Sequence, residues 1–207
     1  MAVLFENVRV FDGSSEQLSA PVNVLVEGSQ IRTISAASIE PPPDALQLTR
    51  IDGTGRTLMP GLIDVHVHLT FGAMSVQQMH DSSTTPEVMG QAAAAQADKM
   101  LMHGFTAVRD AGGPVFALKA AIDAEKIVGP RIWPSGALIS QTAGHGDLRL
   151  PSERSRRFFG QPSKAELMGG SFIADGRAEV LTAVRENLRY GASQIKLTAG
   201  GGTSSAY

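Results

Sequence analysis

The sequence predicts an α/β protein built on a parallel sheet and preceded by a small β module. Three observations carry this. Residues 1 to 58 consist of short β-rich pieces separated by turns. From Leu62 onward, apolar strand candidates alternate with helical segments, the pattern of right-handed βαβ crossovers. No Gly-rich phosphate fingerprint follows the first of those strands, which argues against a dinucleotide fold.

In the N-terminal module, "VLFENVRVFDG" alternates weakly and stops at Asp12-Gly13. "PVNVLVEGSQIRTIS" supplies two β-rich pieces around Glu27-Gly28, a hairpin signal. "PPPD", from Pro41 to Asp44, reads as a stiff connector, and "IDGTGRTLMPG" is rich in turn residues. An independent β module and a hairpin decorating a larger domain both fit this pattern.

The second region opens with the strand "LIDVHVHL". A helix is expected from about Pro86 to His103, with Thr85 as N-cap, Pro86 at its first position, Glu87 in its first turn and Gly104 just past its end. The strand "FTAVRDAGG" follows, then a helix opened by Pro114 and closed near Gly129. "RIWPSGALIS" is a third strand weakened by Pro134. A long polar loop extends to Gly170, Asp175 is expected to cap the helix "GRAEVLTAVRENLRYG", and "ASQIKLTAGGG" is the fourth strand.

Composition narrows the chemistry. The apolar fraction of 43% suits a globular core, and a formal net charge of −2 with no basic run offers no case for nucleic acid or an anionic membrane. With no cysteine, disulfides and thiolate metal sites are excluded, so a metal would need nitrogen and oxygen ligands. "MAVLFENVRVFDG" lacks the features of a signal peptide, and no apolar run is long enough to span a bilayer. A cytoplasmic location is the default expectation.

Two features stand out. Strand alternation places Asp64, His66 and His68 on one face and Ile63, Val65, Val67 and Leu69 on the other. Same-face neighbours lie roughly 6.5–7 Å apart at Cα, close enough for two imidazoles to lean onto one cation. Incidental histidines on a solvated edge strand are the alternative. In "QIKLT", Gln194, Lys196 and Thr198 share a face. A lysine at the end of a buried strand is costly unless paired or modified. Taken alone, Lys196 reads as a salt bridge to Asp64 or Asp110. A neutral lysine amine beside a dication can also take up carbon dioxide to form a carbamate, a ligand able to bridge two metals.

"LMPGLIDVHVHL", "GFTAVRDAGG", "GPRIWPSGALIS", "GHGD" and "QIKLTAGGG", in that order and spacing, resemble the amidohydrolase superfamily, in particular its metal-dependent dipeptidase and carboxypeptidase branch related to imidazolonepropionase. The resemblance implies a small β-sandwich, of which residues 1–58 would be the N-terminal part, beside a TIM-like (β/α)8 metallo-hydrolase barrel, of which residues 59–207 would supply the first four strands. It implies that His66 and His68 bind the first of two divalent ions, zinc being favoured, and that Lys196, carboxylated by CO2, bridges the pair. The family takes two further histidines and a catalytic aspartate from later strands. None has a counterpart up to Tyr207, so no catalytic residue is assigned in this half. A full barrel takes about 250 residues, and the chain reads as the N-terminal half of a longer enzyme, inactive alone.

The activity implied is hydrolysis of amide bonds in dipeptides or N-acyl amino acids, Xaa-Pro or Xaa-hydrophobic, by a metal-bridged hydroxide. The alternatives are an imidazolonepropionase-like cyclic amide hydrolase and a non-catalytic half-barrel that serves assembly. The expected partners are a small amide substrate, the C-terminal half of the barrel and further copies in a homo-oligomer. His145, in the loop after the third strand, is assigned substrate contact, with a local hydrogen bond as its alternative. Asp64, Arg109 and Asp110 are assigned support behind the ligands, or, for Arg109 and Asp110, a structural ion pair. His80 reads as a solvated loop residue, His103 as a favourable charge at a helix C-terminus, and "RSRRFF" as a solvated or interface segment.

Overall fold

The computed structural model describes residues 1–41 and 47–202, the side chain of Val76 excepted. The connector read at Pro41–Asp44 lies, beyond Pro41, outside the described residues. Two compact units result, Met1–Pro60 and Gly61–Tyr207.

The first unit is one sheet. Strands β1 (Ala2–Val10), β2 (Val22–Glu27), β3 (Gln30–Ser35) and β4 (Leu48–Asp52) lie in the order β3-β2-β1-β4, and β5 (Thr57–Leu58) also pairs with β1. β2 and β3 form an antiparallel hairpin at Gly28, whose φ of +58° suits glycine. Ala2, Leu4 and Leu25 are buried with Ile39 and Leu48 against them, whereas Ile31 and Ile34 are exposed. A second sheet, needed for a sandwich, is not found among the described residues of this unit.

The second unit is mixed α/β with no closed barrel among its described residues. β6 (Leu62–Val67), β7 (Phe105–Asp110) and β8 (Arg131–Pro134) form one parallel sheet. β9 (Leu138–Ser140) pairs in parallel with β10 (Ser171–Ile173) and β11 (Leu197–Thr198) in another. β8 and β9 are one strand interrupted where Pro134 ends the ladder and Gly136 turns at φ +74°. The buried side chain of Asn187 fills the gap, accepting from the Ala137 N–H (3.1 Å) and donating to the Ala137 carbonyl (2.9 Å). Bonds from Ser193 N–H to the Pro134 carbonyl and from Ile139 N–H to the Lys196 carbonyl run the fourth strand alongside both pieces.

Helix α1 (Val76–His80) is followed by α2 (Pro86–Met102), capped by Thr85 with Pro86 and Glu87 in its first turn, as the sequence predicts. Its buried Met89, Ala93 and Ala97 recur every four residues, and Ala93 and Ala97 pack into the core against the sheet. Leu69, Ala93, Ala97, Val108, Val115, Leu118 and Ile132 form the core between strands and helices. A second cluster, Ile139, Ala174 and Ala183, lies beneath β9.

Several expectations are corrected. α3 spans only Phe116–Asp123; its N-cap is Val115 and the chain turns at Glu125, φ +57°, well before Gly129. The long loop contains two short helical turns, α4 (Arg156–Phe159) and α5 (Lys164–Leu167), the latter closed by a Ser163/Glu166 capping box. Helix α6 (Arg177–Arg189) is capped by Gly176, not Asp175. The Asp175 carboxylate is engaged by the N–H and hydroxyl of Thr142 instead. Val67 and Leu69 do pack into the core, but Ile63 and Val65 are 67% and 59% exposed. The helices pack mainly against β7, β8, β9 and β10, and Ile63 and Val65 on the outer side of β6 stay uncovered among the described residues. No described helix is long and apolar enough to cross a membrane.

Candidate metal centre

His66 and His68 close the first strand of the second unit with their rings 5.4 Å apart, edge to face. Lys196, 130 residues further along the chain, brings its Nζ to 3.5 Å from His66 Nε2. The path between them is the parallel ladder from β6 through β7 and β8 to the fourth strand, which gathers distant residues at the same end of the sheet. His145 lies near enough to disfavour a charge on His68, as His66 and Lys196 do.

His68 is half-buried, and its backbone setting is more constrained. Its Nδ1 lies 3.4 Å from the Gly112 carbonyl. When that nitrogen carries the proton, Nε2 keeps its lone pair. Burial is the largest influence on the imidazole and holds its pKa below the ordinary histidine value; the Gly112 carbonyl opposes this, and the positive charges of His66, Lys196 and His145 add to the lowering. The neutral ring that results is the form that binds metals. Gly112 has φ +150°, and a Cβ there would stand 2.4 Å from Leu138 Cδ2, so the close passage of this turn requires glycine.

Asp110 organises the same region from below. It is fully buried, and its carboxylate accepts the N–H groups of Leu69 (2.7 Å) and Gly112 (3.1 Å). One side chain thus holds the residue after His68 and the turn whose carbonyl meets His68. Burial raises its pKa to about 6, against the pull of the two N–H donors.

The structural ion pair considered for Arg109 and Asp110 does not form. The Arg109 Nε donates to the Val65 carbonyl, while Asp110 is occupied by backbone N–H groups. Asp64 accepts the His66 N–H at 3.0 Å, bracing its own strand. Lys196 makes no ion pair with Asp64 or Asp110 among the described residues. It is half-buried rather than buried, and it precedes the two-residue β11 rather than ending it. The side of β11 away from β9 carries no strand among the described residues.

His145 stands in the turn after β9, its N–H donating to the Gly200 carbonyl at 2.8 Å. Its ring packs on Gly202, where a Cβ would come 2.6 Å from Nδ1. His80 ends α1 half-buried beside Phe71, Met79 and Met89, in a separate small cavity of about 50 Å³ rather than in a solvated loop. His103 is the exposed C-cap of α2. Sequence reasoning assigned no role to Gly112, Gln194 or Asp147. Gln194 bridges the Asp110 and Trp133 carbonyls through its amide nitrogen. The "GHGD" motif contains Asp147, the one signal that could have drawn attention to it.

The donor set suits a divalent metal in part. Two imidazoles and an amine converge, the nitrogen chemistry zinc accepts. No group of three His, Cys, Asp or Glu is close enough to hold an ion among the described residues. The amine becomes an oxygen ligand only on carboxylation, and the set is half of what two ions need.

Comparison with known proteins identifies the family. Residues 57–207 match the model of the Amidohydrolase family. Ochratoxinase of Aspergillus niger is 36% identical over 188 residues, which cover 87% of this chain and 39% of that protein. A solved prolidase complexed with N-methylphosphonate-L-proline superposes with a TM-score of 0.84 at 32% identity, covering 99% of this chain and 48% of that one. A Xaa-Pro dipeptidase with methionine bound in its active site gives 0.78 at 28% identity, again over 99% and 48%. The chain therefore spans less than half the length of these relatives.

Proposed function

The chain belongs to the amidohydrolase family, and from that premise we propose that it is the first metal-binding half of a hydrolase acting on the amide bonds of dipeptides or N-acyl amino acids, with Xaa-Pro and Xaa-hydrophobic substrates favoured. The observation that carries the reading is the meeting of Lys196 with His66, 3.5 Å apart across 130 residues, beside His68. Similarity to a prolidase, a Xaa-Pro dipeptidase and an ochratoxinase supports the substrate class.

In this reading His66 and His68 would hold the first of two divalent ions, zinc favoured. Carboxylation of the Lys196 amine by CO2, with loss of a proton, would turn it into an anionic oxygen donor for the ions. Bound ions would acidify a water and polarise the amide carbonyl. The chain's own residues supply orientation. Gly112 directs the lone pair of His68, Asp110 fixes the backbone on either side of that contact, and His145 binds the substrate carbonyl or carboxylate. The remaining ligands and the proton-transferring aspartate would come from strands that pair with the open edges of β6 and β11. Assembly into a homo-oligomer in the cytoplasm completes the proposal.

The test is metal analysis combined with a dipeptide and N-acyl amino acid screen on the complete protein. Two divalent ions per chain with turnover of Xaa-Pro or Xaa-hydrophobic substrates is the expected result. A protein that folds, binds no divalent ion and cleaves none of these amides would sink the hydrolase reading in favour of an assembly role.

A further inference from the structure

The turn that carries His145 is over-determined, and a carboxylate so far without a role holds it. Between Ser140, at the end of β9, and Arg149, the chain reverses through Ala143 at φ +60°, a left-handed conformation that a side chain with a Cβ disfavours. The Ala143 N–H donates to Asp147 Oδ2 at 2.8 Å, and the Asp147 N–H donates back to the Gly144 carbonyl at 2.9 Å. Arg149 grips both oxygens of the same carboxylate, its Nε at 2.7 Å from Oδ1. The Asp147 side chain is 1% exposed, so this fork works where water does not compete.

The rest of the turn is fitted as closely. The Gly146 N–H donates to Ser140 Oγ at 3.2 Å, and a Cβ at Gly144 would stand 2.4 Å from that same oxygen. Asp175 ties Thr142 from the far side, and Gln141 Nε2 donates to the Ala199 carbonyl. Together with the His145 bond to Gly200, these contacts seat the turn on the tail of the strand that carries Lys196. Ala143 lies two residues before His145, so relaxing it would swing the imidazole.

We propose that Asp147, locked by Arg149, is a positioning residue for His145: by clamping the strained Ala143 it fixes the imidazole against the tail of the strand that carries Lys196. The proposal rests on the reading that His145 contacts the substrate. Backbone strain kept beside a reactive cluster needs a local restraint, and the Asp147–Arg149 fork provides it without touching the metal-binding side chains itself. Misplacing a group of this kind by about 1 Å is enough to slow a reaction by roughly a hundredfold.

The experiment compares Asp147→Asn, His145→Ala and the double variant in the complete, metal-loaded protein, reading kcat, KM and bound metal. Asp147→Asn is expected to keep its metal and lose about 10- to 100-fold in kcat. The double variant is expected to be no slower than His145→Ala, because the two act through one group. Arg149→Lys, which keeps the charge but not the fork, should give a smaller loss with the same non-additivity, and it serves if Asp147→Asn fails to fold. Wild-type kcat in Asp147→Asn alongside a slow His145→Ala would overturn the positioning role alone. Losses that multiply in the double variant, or that come with lost metal, would also overturn it. Wild-type kinetics in His145→Ala would remove the substrate role of His145, and the proposal with it.

Discussion

Lys196 Nζ stands 3.5 Å from His66 Nε2, and the two residues reach each other only through the parallel sheet. Two nitrogen bases at that distance repel if both are protonated and gain if a cation or an acidic carbon lies between them. His68, 5.4 Å from His66 ring to ring, adds a second imidazole to the pair. The arrangement explains the sequence feature that first calls for explanation, a His-x-His pair ending an otherwise apolar strand.

Removing either imidazole should therefore remove metal. His66→Ala and His68→Ala, made in the complete protein, are expected to lose most of their zinc by elemental analysis and nearly all activity, with little change in melting temperature of the metal-free form. A double variant that stays fully metallated and fully active would refute the site.

Lys196 should carry a carbamate when metal is bound. Carbon-13 bicarbonate ought to give a carbamate resonance that Lys196→Ala abolishes. That variant should lose activity and recover part of it with short carboxylic acids, which supply the missing oxygens. An unmodified amine beside two occupied metal positions would rule the modification out.

His145→Ala should retain both ions and change kinetics instead, raising KM or lowering kcat by about 10-fold or more, the size expected when a hydrogen bond to substrate is lost. Unchanged kinetics on the best dipeptide would refute the assignment.

Asp110 makes a pH prediction. Its folded-state pKa is raised from 3.8 to about 6, with burial the cause and the Leu69 and Gly112 N–H groups opposing. A raised folded pKa means that the stability contributed by the protonated form is fully present below pH 3.8 and is lost as pH rises through about 6. The shift corresponds to about 3 kcal/mol. Asp110→Asn cannot ionise, so its urea stability should fall less than wild type between pH 4 and 7. Parallel stability profiles for the two proteins would contradict the shift.

How much of this was legible in the sequence depends on how local each feature is. The start of α2 could be read because Thr85, Pro86 and Glu87 act on the first turn beside them. The break in the third strand announced itself at Pro134 for the same reason. The approach of His66 to Lys196 entered through resemblance, since nothing local links them. β10 has three residues, too few for a period to show. Asn187 stitching the gap at Ala137 and Asp175 tying down Thr142 are pairings over 50 and 33 residues that composition cannot reveal. Lys196 is half-buried, and Ile63 and Val65 are exposed, where β11 and β6 each pair on one side only among the described residues.

Those uncovered surfaces carry the last prediction, that residues 1–207 alone do not turn over substrate. β6 pairs only with β7, and β11 only with β9, so each presents an unpaired edge among the described residues. Ile63, Val65 and Leu197 stand 67%, 59% and 60% exposed beside those edges. Open edges flanked by apolar side chains favour association with complementary strands. The site tells the same story, for His66, His68 and Lys196 are three proposed ligands where two ions need more, and no group of three His, Asp or Glu side chains among the described residues could hold an ion by itself. Residues 1–207 expressed alone, with zinc and bicarbonate in excess, should therefore associate or bind metal weakly and cleave no dipeptide. Adding strands that dock on β6 and β11 and bring histidine and aspartate should restore turnover. Full activity from 1–207 by itself, with light scattering showing a defined dimer, would instead mean that two copies close one barrel and complete the site between them.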